Sequence, residues 1–234
     1  MEIQFNNIVK SYNGNTVLSV ENLVFSQNEC IGLVGNNGAG KTTLFRLLLN
    51  LIRPTQGQVL SQGLNVADSE TWKDYTSSYL DEGFLIDYLS PEEYFAFCGQ
   101  LYGLDKKTIE ARLQPFETLF NGEILGQKGK FIRDLSKGNQ KKVGIAAAML
   151  PQLPVLILDE PFANLDPSSQ ARLKKLFKDL REERNTLMLI SSHELNHVTE
   201  MCDRIVVVEK GHIVRDMPNT ETVLQELETY FSVI

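Results

Sequence analysis

Residues 35–42 read Gly35-Asn36-Asn37-Gly38-Ala39-Gly40-Lys41-Thr42, residue types whose spacing suits the binding of phosphate. Glycines let the backbone curl until several N–H groups point at one set of oxygens. Lys41 is placed to reach the outer phosphates of a nucleoside triphosphate, and the Thr42 hydroxyl to ligate Mg²⁺. A second reactive group lies far along the chain, where Val155-Leu156-Ile157-Leu158 runs into Asp159-Glu160-Pro161. A carboxylate at the end of a buried strand is costly unless it meets a cation or hydrogen-bond donors. Mg²⁺ beside a triphosphate supplies that cation, so Asp159 is expected to hold the metal through its water shell. Glu160 is then the general base that polarises an attacking water. The plainer alternative, two acids opening a turn before Pro161, loses ground once the loop at 35–42 is counted with them.

These groups need elements to hold them. The apolar run 30–34 reads as a buried strand entering the loop, and residues 43–49 as a helix leaving it, its N-terminal N–H groups aimed at an anion. Residues 3–9 and 17–26, split by Asn13-Gly14-Asn15, read as an antiparallel hairpin. Short strands are expected at 58–60 and 78–80. Helices are expected at 91–102, with Pro91 at a first helical position, and at 105–120. From 83 to 150 the pattern is helical, with no convincing long strand. Beyond it strand and helix alternate (155–158, 167–183, 186–190, 193–201, 204–209), which predicts parallel strands with helical crossovers. A terminal amphipathic helix is expected at 219–233. The domain expectation is one unit, 1–234, with an α/β core (1–82 and 151–218), a helical insert (83–150) and a C-terminal helix (219–234).

Composition narrows the function classes. The 234 residues are 42% hydrophobic and 23% charged, with a net charge of −7. No broad basic face is evident, which argues against a nucleic-acid partner. The clusters Lys137/Lys141/Lys142 and Lys174/Lys175/Lys178 read as solvated helix faces. Cys30, Cys98 and Cys202 are scattered and odd in number, so no disulfide framework is expected and a reducing, cytoplasmic setting fits. The N-terminus has no signal-peptide pattern. The most apolar stretch, 145–158, is interrupted by Pro151, Gln152 and Pro154 and is too short to span a bilayer. Any action on a membrane is expected to pass through a partner.

The order and spacing of the motifs resemble those of the nucleotide-binding subunits of ATP-binding cassette (ABC) transporters, over essentially the whole chain. Leu135-Ser136-Lys137-Gly138-Asn139-Gln140 resembles the ABC signature, commonly Leu-Ser-Gly-Gly-Gln, with departures at Lys137 and Asn139. Taken alone, Ser136 is an ordinary helix N-cap. The resemblance implies a P-loop NTPase of ABC type: an α/β fold with a mixed sheet, an N-terminal antiparallel β subdomain and an inserted helical subdomain. It implies ATP and Mg²⁺ bound by Gly35, Asn36, Asn37, Gly38, Ala39, Gly40, Lys41, Thr42 and Thr43, with Tyr12 stacked on adenine. It implies that Ser136 and Gly138 cover the γ-phosphate held by a second copy or a paralogue, that Asp166 in Asn164-Leu165-Asp166 lies on a dimer-crossing loop, and that His193 contacts the γ-phosphate. Glu82 stands where the family usually has a glutamine near Mg²⁺; a carboxylate there adds charge and donates no N–H. The implied partner is an integral membrane transporter subunit docked near the aromatic residues 84–102, with this chain on the cytoplasmic face of the membrane.

Two rival readings remain. One is a soluble ABC ATPase with no transporter. The other is a zinc metallopeptidase, because His193-Glu194-Leu195-Asn196-His197 matches His-Glu-x-x-His, whose histidines share one helix face. That pattern has no obvious third ligand, although Glu200 and Asp203 are close in sequence.

Overall fold

Alternating burial folds the N-terminus into a hairpin of β1 (Glu2–Tyr12) and β2 (Asn15–Ser26) in a computed structural model that describes residues 1–232. Its two-residue loop is Asn13-Gly14, at φ 49° and 83°, the left-handed pair that matches the twist of a tight hairpin. Next come β3 (Cys30–Val34), buried at every residue, and α1 (Lys41–Leu48). After α1 the chain returns through β4 (Gln56–Ser61) and β5 (Leu64–Asn65) to extend the hairpin's sheet, with β1 pairing antiparallel to β4. β6 (Thr76–Tyr79) then crosses to the far edge of the molecule's ten-stranded sheet.

No strand interrupts the described residues between β6 and β7. This stretch holds α2 (Pro91–Leu101), α3 (Lys106–Leu113), α4 (Glu117–Phe120) and α5 (Lys137–Met149). α2 starts where Ser90 and Glu93 form a reciprocal capping box ahead of Pro91. The second half alternates as expected through β7 (Val155–Leu158), α6 (Pro167–Arg184), β8 (Leu187–Ser192), α7 (Leu195–Thr199) and β9 (Arg204–Glu209); β10 (His212–Pro218) and α8 (Val223–Ser232) follow.

The strand order is β5-β4-β1-β2-β10-β9-β3-β8-β7-β6. β9, β3, β8, β7 and β6 are mutually parallel, while β1, β2, β4 and β5 form an antiparallel wing. The wing joins the parallel core through β10, which pairs antiparallel with β9 and touches β2 at His212–Ser19. Two apolar cores result. One packs Leu44, Phe45 and Leu48 of α1 between the wing and the parallel strands. The other packs α5, α6, α7 and α8 on the opposite face, with Val143, Phe177, Val198 and Leu227 among its fully buried members.

Three expectations shift. The helix expected at 193–201 is only Leu195–Thr199, because His193 precedes it and Glu194 stays extended at φ −99°, ψ 114°. The terminal helix begins at Val223 rather than 219, and residue 233 lies outside the described residues. β10 was not anticipated: most of its side chains are exposed and its apolar residues do not alternate cleanly, and its pairing is imposed by the Lys210-Gly211 hairpin loop (φ 47° and 82°).

Candidate functional site

The reactive residues meet at the C-terminal ends of neighbouring parallel strands, where open α/β sheets place their ligands. The loop 35–40 leaves β3 and enters α1 through Gly40 at φ 115°, a conformation costly for any residue with a Cβ. A Cβ on Gly35 would lie 2.2 Å from the Val208 carbonyl oxygen, so glycine is what lets the loop turn against β9. Lys41 is buried; its Nζ donates to Gly35 O at 2.5 Å and lies 3.3 Å from Glu160 Oε1.

β8 lies between β3 and β7 and links the two halves of the site chemically. Thr42 Oγ1 donates to Asp159 Oδ2 at 2.5 Å. Ser191, at the end of β8, donates to Asp159 Oδ1 and accepts from the Glu160 N–H at 2.9 Å. The Glu160 carboxylate sits between Lys41 and His193, whose Nδ1 is 2.8 Å from Glu160 Oε2. Burial raises the Asp159 pKa above the ordinary carboxylate range, against the hydroxyls of Ser191 and Thr42, which favour its charged form. A cation at this point would favour the charged form further.

The residues fit a bound metal. Thr42 and Asp159 place a hydroxyl and a carboxylate oxygen together, the hard donors that Mg²⁺ prefers. Glu160 Oε1 is buried without a hydrogen-bond partner beside them. A cavity of about 270 Å³ opens over the loop, lined by Tyr12, Val17, Asn37–Thr43 and Glu160. Tyr12 is 49% exposed at its edge, with Lys10 Nζ 4.6 Å above its ring. A larger cavity, about 700 Å³ and bordered by α6 and Met201, contains none of these groups.

The remaining expected residues lie around this cluster. Ser136 is exposed and N-caps α5, accepting from Asn139 N at 3.2 Å; neither it nor Gly138 lines the cavity over the loop. A Cβ on Gly138 would meet Asn164 O at 3.1 Å, so the 135–140 segment packs on the loop before α6. Asp166 N-caps α6; hydrogen bonds from Ser168 and Ser169 hold its carboxyl far below the usual range. The Glu82 carboxylate accepts from Tyr79 OH at 2.7 Å and faces Lys141 Nζ at 3.7 Å.

The zinc reading fails on geometry. His193 is not on a helix with His197, and its ring is turned to Glu160. His197 is buried against Phe162, ring centroids 4.7 Å apart. Among the described residues no three His, Cys, Asp or Glu side chains converge as a metal site. The solvated face expected of Lys137/Lys141/Lys142 is corrected: Lys141 and Lys142 are buried, Lys141 against Glu82 and the Glu160 carbonyl. Ser191 is a contributor that sequence reading missed. Ser191 left one signal, a polar end to an otherwise apolar strand.

A phosphate-binding loop between a central strand and a helix, facing an acidic strand end across one intervening strand, defines a P-loop nucleoside triphosphatase fold. The chain belongs to the ABC transporter family, whose model matches residues 18–163. It is 35% identical over 180 residues to an uncharacterized ABC transporter ATP-binding protein of Alkalihalophilus pseudofirmus, covering 76% of this chain and 65% of that one. It is thus aligned with just under two thirds of that relative's length. It is 32% identical to the bacitracin transport ATP-binding protein BcrA of Enterococcus faecalis, over 94% of this chain and 70% of that one. Among solved structures, the ATP-binding subunit of an ABC transporter superposes with a TM-score of 0.84 at 27% identity, covering 99% and 94% of the two chains.

Proposed function

We propose that this chain binds ATP with Mg²⁺, hydrolyses it, and thereby drives a separate membrane-embedded transporter subunit. The observation that carries this is the single cluster formed by Lys41, Thr42, Asp159 and Glu160, with Ser191 bridging the last two. The backbone of 35–43 cradles phosphates, and Tyr12 offers an aromatic face to adenine. Thr42 and Asp159 would hold Mg²⁺, which when bound neutralises phosphate charge during transfer. Glu160 accepts a proton from the attacking water; Lys41 and His193 fix its two oxygens.

Ser136 and Gly138 lie outside the cavity over the loop, which supports their serving a second copy or a paralogue. Closure of such a pair around ATP, with Asp166 near the crossing, is the step that would move the membrane subunit. That partner's docking site is a groove of about 380 Å³ between the α/β core and α2, lined by Leu51, Trp72, Phe84, Leu101 and Tyr102. Phe84 and Leu101, which line it, are more than half exposed and offer apolar surface for a partner to cover. No helix among the described residues is long and apolar enough to cross a membrane. With a transporter subunit as partner, this chain would sit peripherally on the cytoplasmic face of the membrane. BcrA, a transport ATP-binding protein by its name, supports the same role.

The test is Glu160→Gln. It should keep nucleotide binding and lower steady-state ATPase by about a hundredfold or more. Undiminished turnover refutes Glu160 as the base. Co-purification of the parent with an integral membrane subunit supports the transporter role; a chain recovered active without one supports a soluble ABC ATPase.

A further inference from the structure

Lys141 lies in the first turns of α5 with its side chain only 6% exposed. An ammonium buried to that degree needs a counter-charge and acceptors for its protons. Three groups meet it. Its Nζ donates to the Glu160 carbonyl oxygen at 2.8 Å, lies 3.7 Å from Glu82 Oε1, and stands 5.6 Å from the Tyr79 ring centroid. The Tyr79 hydroxyl donates to that same Glu82 oxygen at 2.7 Å. One lysine therefore joins the turn after β6 to the residue that follows Asp159.

Glu160 is a residue whose backbone needs holding. Its φ is 47°, in the left-handed region that residues with a Cβ seldom adopt. Side chains reach both of its backbone polar groups: Ser191 accepts from the N–H, and Lys141 donates to the C=O at 2.8 Å, a shorter contact than the Ala163 N–H makes to the same oxygen at 3.3 Å. That clamp fixes the direction in which the carboxylate leaves the chain, toward Lys41 and His193.

We infer that Glu82 and Lys141 act as one positioning unit, in which the Glu82 carboxylate keeps the Lys141 ammonium in place and Lys141 holds the backbone of Glu160 in its reactive orientation. Neither residue touches the reacting atoms. Burial pushes the Lys141 pKa down, and the charge of Glu82 opposes that push before that of Glu160. Burial pushes the Glu82 pKa up, but the Tyr79 hydroxyl, its own backbone and Lys141 outweigh it and hold the carboxyl below its ordinary value. A glutamine at 82 would still accept from Tyr79 but would leave the ammonium buried without its nearest counter-charge.

The role assigned to the unit rests on the reading of Glu160 as general base; the coupling of the two charges does not. A double-mutant cycle over Glu82→Gln and Lys141→Met tests both. Steady-state kcat, KM for Mg-ATP, affinity for a fluorescent ATP analogue and the thermal midpoint are measured on the full chain. Glu82→Gln should lower kcat about tenfold in the parent and change it less than about twofold in the Lys141→Met background. KM and nucleotide affinity should stay within about threefold, since the unit acts on the base and not on binding. Glu82→Asp, which keeps the charge, should recover most of the loss. Losses that multiply, or a Glu82→Asp protein as slow as Glu82→Gln, overturn the unit. Should the parent hydrolyse no ATP, with Glu160→Gln indistinguishable from it, the functional reading falls. The thermal midpoints then decide the pair: non-additive shifts support it and additive shifts overturn it.

Discussion

Ser191 shows how much one hydroxyl does here. It is fully buried, donates to Asp159 and accepts from the N–H of Glu160. Its neighbour Ser192 instead accepts from Glu194 N at 3.0 Å and shapes the turn toward His193. Ser191→Ala would strand a buried N–H and remove a donor from a carboxylate already raised by burial. The expected loss is about 1–3 kcal/mol of stability, with turnover falling further than nucleotide affinity. Denaturant unfolding together with kcat and KM checks this, and a variant with unchanged kcat would remove Ser191 from the machinery. The two serines are alike in sequence; only the register of β8 against β3 and β7 tells which one faces the acids. The loop at 35–42 was legible because its chemistry sits in contiguous residues. Lys141 read as part of a solvated face instead, because the acceptor that draws it inward lies nineteen residues further on.

At the scale of elements, the informative case is the short helix α7. It packs so closely on β3 that a Cβ on Gly32 would come 2.8 Å from Val198 Cβ. It also buries His197, whose ring nitrogens make no hydrogen bond although Nε2 lies 3.2 Å from Glu194 Oε2. Burial lowers the His197 pKa, Lys174 adds to that, and Glu194 and Glu200 oppose it. The sign follows from proton binding. Below the ordinary histidine value of about 6.5 the unfolded chain takes up a proton that the folded chain resists. Stability from this group is therefore full above that value and is lost as pH falls toward the depressed folded pKa. The thermal midpoint should drop between about pH 7 and pH 5, and His197→Leu should flatten that drop. An equal drop in both proteins would assign the acid sensitivity elsewhere. The same element explains why the metal-binding pattern at 193–197 misled: the pattern needs a helix through both histidines, and the chain supplies five helical residues starting after the first. α2 and α5 were readable because Pro91 suits a first helical position and Ser136 an N-cap; the caps made by Ser90 and Asp166 came only with the structure. β10 was not, since it owes its place to β9 rather than to its own side chains.

For the whole molecule, the question is how half a site becomes a complete one. The cavity over the loop has a floor of backbone N–H groups and a wall in Tyr12 and Glu160, while Ser136 and Gly138 line none of it. A helix N-terminus capped by an exposed serine is a second anion-binding surface without an anion of its own chain to bind. Two copies facing each other head to tail would bring each such surface over the other's triphosphate. Trapping ATP with Glu160→Gln should then hold the chain as a dimer, at roughly double the monomer mass by sedimentation, and removing nucleotide should release it. Ser136→Asp separates this from a loss of folding. Aspartate caps a helix about as well as serine, so the thermal midpoint should hold, but its charge would face a γ-phosphate at close range. In the Glu160→Gln background the Asp variant should bind nucleotide as a monomer and fail to dimerise. In the otherwise unaltered chain it should lose turnover by about tenfold or more. A Ser136→Asp protein that dimerises and turns over normally would mean that α5 caps nothing across an interface, and that the loop works without a second copy.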